Sequence, residues 1–124
     1  LSRHDYVLIT HSVMKMLDKA AEIALEGNPE KNYLFGIVAL RKDNVYVYSK
    51  NSLVQTPSPD GHAEARVLKK AGHGATLWVA RVLRDGAWAM AKPCQICETL
   101  IKNRKVVKVY YTIGPGEYGV WEPE

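Results

Sequence analysis

Two short stretches hold residue types that do chemistry together, His62-Ala63-Glu64 and Pro93-Cys94-Gln95-Ile96-Cys97. Two thiols separated by two residues can share one metal ion from the first turn of a helix, and a histidine from a neighbouring segment can supply a third ligand. Three protein ligands leave the fourth tetrahedral position open, which separates a catalytic zinc from a structural one. Zinc lowers the pKa of a water in that position to about 7, and a nearby carboxylate can take the proton and pass it to a leaving amine. Glu64, two residues after His62, is close enough for that task without being a ligand. Both motifs read as helix starts, where unpaired N–H groups and partial positive charge favour thiolate over thiol.

The elements that must position these motifs follow from hydrophobic patterning. Thr10 is expected to N-cap a helix running to about Glu26, with Val13, Met14, Leu17, Ala20, Ala21, Ala24 and Leu25 on one apolar face. Gly27-Asn28-Pro29 stops it. Tyr33 to Leu40 reads as a strand covered on both faces, and Lys42-Asp43-Asn44 turns it into a second strand, Val45 to Tyr48. The stretch from Asn51 to Gly61 is a loop by composition and delivers His62 to a helix ending near Ala71. Leu77 to Leu83 is a third strand, after which Arg84-Asp85-Gly86 turns Ala87 to Lys92 back toward the core. Pro93 opens a helix that runs to about Arg104, since its missing N–H has no helical partner there anyway. Val106 to Ile113 is a fourth strand, and Gly114-Pro115-Gly116 leads into a fifth around Tyr118 to Trp121. The order α-ββ-α-β-α-β-β implies a central sheet flanked by helices.

A chain of 124 residues suits a single domain spanning 1–124. With 47% hydrophobic and 24% charged residues it is globular in composition, which excludes a disordered chain. No apolar run reaches the roughly 20 residues of a membrane span, so no membrane partner is expected. Leu1 to Asp5 show no signal-peptide pattern. The absence of an initiator Met leaves room for a longer parent chain. The net charge of +4 and pI near 9.1 suit an anionic substrate and are too mild to demand nucleic acid. Two cysteines in one motif are no disulfide framework; they read as a metal or redox pair in a reducing compartment, and a cytoplasmic location is expected.

The H-x-E motif followed downstream by P-C-x-x-C is the signature of zinc nucleobase deaminases. On those residues the sequence resembles the cytidine deaminase-like superfamily, from the first helix through the fourth strand. The resemblance implies a three-layer α/β/α sandwich with a five-stranded mixed sheet and a short C-terminal hairpin. It implies Zn2+ held by His62, Cys94 and Cys97, with Glu64 as the proton shuttle. Asn51, Ala63 and Trp88 become the candidate substrate contacts, and a homo-oligomer is expected. The implied reaction is hydrolytic deamination, cytosine to uracil, in a free nucleoside or nucleotide.

Two departures point to different relatives. The first motif begins with His, unlike the free-cytidine deaminases that use three thiolates. The chain from Gly114 to Trp121 has no room for the crossover helix of a parallel fifth strand, an ending more like the branches acting on free nucleosides. The alternatives are therefore a deaminase acting on cytosine or adenine in single-stranded DNA or RNA, and a non-catalytic zinc module.

Each candidate also has a plainer reading. The Cys pair alone would suit a redox dithiol, but that leaves His62 and Glu64 unexplained. A structural zinc needs a fourth ligand, for which His73 is the best placed, although Gly72 and Gly74 on either side make it a loop histidine. His4 and His11 read as solvent-facing. Asn51 fits a hairpin-closing turn as well as a substrate contact. Trp78, Trp88, Tyr110 and Tyr111 fit sheet packing, with Trp88 the one nearest the cysteine motif. Lys69, Lys70, Lys102, Arg104 and Lys105 gather toward helix ends, where cations complement the helix dipole.

Overall fold

In a computed structural model that describes residues 3–26, 34–50, 63–92 and 95–123, the helices are α1 (Arg3–Leu25), α2 (Ala63–Ala71) and α3 (Gln95–Asn103). The strands are β1 (Leu34–Leu40), β2 (Tyr46–Lys50), β3 (Thr76–Val82), β4 (Trp88–Ala89), β5 (Lys108–Gly114) and β6 (Glu117–Trp121). They form one mixed sheet in the order β2-β1-β3-β5-β6, with β4 paired to β3 off this path. Only β3 and β5 run parallel, because α3 and its flanking segments supply the crossover that a parallel pair needs. β5 turns into antiparallel β6 through Pro115-Gly116, with Gly114 opposite Glu117 and Gly116 at a φ of 72°. That two-residue connection gives the C-terminal hairpin.

Period-two alternation assigns the strands' side chains to two cores, one on each side of the sheet. Ile37, Ala39, Leu77, Val79 and Val109 pack with Val67 and Leu68 of α2 and Ile101 of α3. Their neighbours Leu34, Val38, Trp78, Ala80 and Val82 pack with Val13, Leu17, Ala20 and Ala24 of α1. Three layers result, with α1 on one face and α2 and α3 on the other. Gly36 decides how closely α1 lies on β1. A Cβ there would run into the Ala20 carbonyl oxygen and stand 2.6 Å from the Ala24 amide nitrogen, both of them backbone atoms.

Three details differ from the sequence reading. α1 begins at Arg3 rather than after Thr10, since Thr inside a helix costs only a few tenths of a kcal/mol and the helix continues through it. On its apolar face Ile23 is buried whereas Leu25, in the last turn, is 46% exposed. The sheet gains a sixth strand, β4, whose two residues are too few to show a period in sequence.

Candidate active site

Both motif-bearing helices start at the same end of the sheet. α2 leads through Gly72 and Gly74, at φ 70° and 82°, into the first residue of β3, so its N-terminus lies toward that strand's carboxyl end. α3 ends beside the start of β5, where the Val107 amide donates to the Ala75 carbonyl at 2.9 Å. Its N-terminus therefore lies at the same end, and α2 and α3 pack against each other. Ligand sites in open α/β sheets form at the carboxyl ends of the strands for this reason: helix N-termini, with their unpaired N–H groups, gather there.

The segment leading to the cysteines is held in place by backbone and one buried hydroxyl. Pairing of β3 with β5 stops at Val79 and Tyr111, and from there β4 takes its place beside β3, with Ala89 opposite Arg81. The turn into β4 is closed by the Leu83 amide donating to Ala87 O at 2.9 Å, while Asp85 Oδ1 accepts from the Ala87 amide at 2.9 Å. Thr112, fully buried on β5, joins the three segments. Its Oγ1 donates to Ala89 O at 2.7 Å and accepts from the Arg81 amide at 3.1 Å, and its carbonyl accepts from the Ala91 amide at 2.9 Å. Ala91 is fully buried, so the chain enters the Pro93-Cys94 step from a fixed point.

Against this frame, Ala63 and Glu64 are the first two residues of α2, and Cys97 is the third of α3. His62, Cys94 and Asn51 lie outside the described residues, as does the predicted loop 51–61. Among the described residues no cluster of three metal-ligating side chains is present. The candidate donors nonetheless suit zinc, being one imidazole and two thiolates, and Glu64 and Cys97 stand in the first turns of two helices packed together.

Trp88 is not brought to this group. It lies opposite Val82, on the α1 side of the sheet, and helps line a cleft of about 290 Å³ with Met14, Asp18, Ala87 and Pro115. Proximity in sequence to the cysteine motif did not settle which face of a two-residue strand it would occupy. His73 is exposed between its two glycines, at the far end of α2 from Glu64. Sequence reasoning missed Thr112, because a threonine within a strand gives no sign that its hydroxyl will close a gap between splayed strands. It also missed Arg81, the next residue after Leu77 and Val79 on the α2–α3 face at the carboxyl end of β3.

The model of the cytidine and deoxycytidylate deaminase zinc-binding region matches residues 10–113. The chain belongs to this family. It is a hydrolytic deaminase of the cytidine deaminase-like superfamily, and the matched region is described as zinc-binding. No curated relative matches it in sequence. Among solved structures, cytidine deaminase from Burkholderia pseudomallei is similar with a TM-score of 0.65 at 20% identity, over 98% of this chain and 93% of that one. Cytidine deaminase from Mycobacterium tuberculosis gives 0.55 at 19% identity, over 82% and 86%. RibD from Acinetobacter baumannii gives 0.50 at 21%, over 82% of this chain and 27% of that one. At these identities the likeness is one of fold, and it extends to the three layers and mixed sheet described above.

Proposed function

We propose that this deaminase converts cytosine to uracil in a free nucleoside or nucleotide, using zinc held by His62, Cys94 and Cys97. The observation that carries the reading is the antiparallel β5–β6 ending, closed by Pro115-Gly116, within a fold similar to cytidine deaminases over nearly the whole chain. When bound, zinc supplies Lewis acidity and a water of lowered pKa. The chain's own residues do the rest. Glu64 would take a proton from the attacking water and hand it to the ring nitrogen, then take the proton of the new hydroxyl on the amine-bearing carbon and hand it to the amine, which leaves as ammonia while that carbon becomes a carbonyl. The positive ends of α2 and α3 favour the thiolate forms of Cys94 and Cys97. Asn51 and Ala63 are proposed to contact the substrate. Trp88, on the opposite sheet face, supports that role less. A homo-oligomer in the cytoplasm belongs to the same proposal. Among the described residues no helix is long and apolar enough to cross a membrane.

The second reading, a base within single-stranded DNA or RNA, draws its support from the histidine at the head of the first motif. Mass spectrometry of a panel separates the two. Zinc-loaded protein and its Glu64→Ala variant are incubated with cytidine, deoxycytidine, deoxycytidylate, adenosine and mixed-sequence oligonucleotides. Conversion of a free cytosine compound by the wild type, reduced at least about 100-fold in the variant with zinc still bound, is the expected result. Conversion only within an oligonucleotide would replace the first reading by the second.

A further inference from the structure

Opposite the helix N-termini, the other end of the sheet gathers seven basic residues from three elements. The β1–β2 turn brings Arg41 and Lys42, and the last turn of α2 brings Lys69 and Lys70. The end of α3 adds Lys102, Arg104 and Lys105. These elements meet: Arg41 Nη1 donates to Lys70 O at 3.4 Å, a Cβ on Gly74 would lie 3.5 Å from Lys42 Cδ, and the Val107 amide binds Ala75 O at 2.9 Å. Lys108, at the start of β5, stands at the same end and pairs with Glu122 at 3.4 Å, so among the described residues gathered here eight basic side chains meet two acidic ones, Asp43 and Glu122, for a local charge of +6. Helix dipoles account for cations on α2 and α3, and Arg41 pairs with Asp43 at 3.0 Å, but neither accounts for Lys42 on the hairpin.

A second feature adjoins the first. Tyr46 and Tyr48 of the edge strand β2 are 55% and 61% exposed, although large rings usually lose most of their surface on folding. Both lie on the α1 side of the sheet, opposite Leu40 and Val38. Lys70 Nζ donates to Tyr48 O at 3.1 Å, so the cations reach the same strand edge. The aromatic surface continues inward. Tyr46 is 6.5 Å from Trp78, Trp78 stacks on Tyr110 at 5.9 Å and 10°, and Lys108 Nζ stands 5.8 Å above the Tyr110 ring.

We infer that this basic end, with Tyr46 and Tyr48 beside it, is a docking surface for single-stranded nucleic acid, separate from the deamination site. Cations that follow a phosphate backbone, next to exposed rings on which bases stack, are the combination single strands require; a duplex uses the cations alone. Nine residues of α2 separate the two ends by about 13 Å, so occupation here leaves the helix N-termini open. The inference goes beyond the proposed reaction and does not depend on which base is deaminated.

The test is fluorescence anisotropy of a labelled 20-nucleotide single strand and its duplex with the zinc-loaded protein, from 50 to 200 mM salt. Four to seven phosphate contacts give a log–log slope of about −3 to −5 for the single strand, or about 50-fold to 900-fold weaker binding across that range. The Lys42→Glu/Lys102→Glu/Arg104→Glu variant is expected to bind at least about tenfold more weakly, with the slope reduced by about 2. Its melting temperature should fall by only a few degrees, from the reversed charges at the end of α3, and it should keep its turnover of a free substrate. The Tyr46→Ala/Tyr48→Ala variant should lose affinity for the single strand and keep that for the duplex. Absence of binding at 50 mM salt, or a triple variant that binds like the wild type, overturns the inference. So does binding to anionic phospholipid vesicles without binding to the oligonucleotide, or equal loss for single strand and duplex in the tyrosine variant.

Discussion

Replacing Thr112 by Val keeps nearly the same shape and removes the one hydroxyl that joins β3, β4 and β5. Two hydrogen bonds are lost, to Ala89 O at 2.7 Å and from the Arg81 amide at 3.1 Å, at a site with no solvent exposure to offer a substitute. At about 0.5–1.5 kcal/mol for each bond, the variant should be less stable by about 1–3 kcal/mol. For 124 residues, with about 3–5 °C per kcal/mol, the melting temperature should fall by about 3–15 °C. Thr112→Ser keeps both bonds and loses one methyl group, so it should recover most of the hydrogen-bonding contribution. The same hydroxyl anchors Ala89, and the Thr112 carbonyl anchors Ala91, just ahead of Pro93 and Cys94. Thr112→Val should therefore also weaken zinc retention, measured by competition with a chromogenic chelator at a temperature where the variant is fully folded. Urea unfolding and the chelator titration together check the reasoning. A Val variant within about 0.5 kcal/mol of wild type, or one as poorly matched by Ser as by Val, would falsify it.

Gly36→Ala sets a new Cβ against backbone of α1, which cannot turn aside; destabilisation beyond the usual 1–3 kcal/mol of overpacking is expected in urea unfolding. Gly119→Ala meets the ring of Tyr111, with Cε2 at 2.7 Å, and because a ring can move it should cost clearly less than Gly36→Ala in the same assay. Removing zinc with a chelator should lower the melting temperature and abolish deamination together, with re-addition restoring both; Cys97→Ala should behave like the stripped protein. Tyr110 first, and then Glu122 at 3.4 Å, holds the Lys108 ammonium above its ordinary value of 10.5. A raised lysine value stabilises the fold fully below the ordinary value, and that contribution is lost as pH rises past it and through the raised value. Lys108→Met should thus show a small loss of stability at neutral pH that shrinks with salt and vanishes in strong alkali, read from melting curves.

Local signals carried much of this protein. Apolar periodicity over Val13 to Ala24, the near-continuous run Leu34 to Leu40, and the glycines closing α2 all act through neighbours a few residues away, so they are legible without a fold. The motifs His62-Ala63-Glu64 and Pro93-Cys94-Gln95-Ile96-Cys97 are legible for the same reason, as runs of neighbouring residues, and the zinc-binding deaminase family they suggest is the one the chain matches. Even the antiparallel β5–β6 pair follows locally, since the two residues Pro115-Gly116 between the strands are too few for a crossover. Tertiary structure decided what depends on partners distant in sequence. Whether Trp88 faces the active-site helices or α1 rests on the register of β4 against Val82, and two residues hold no period from which to read it. Gly36 is needed only because the backbone of Ala20 and Ala24 lies against it. Thr112 matters because β3 and β5 part at Val79 and Tyr111, leaving polar backbone inside the protein that a hydroxyl from another strand must satisfy.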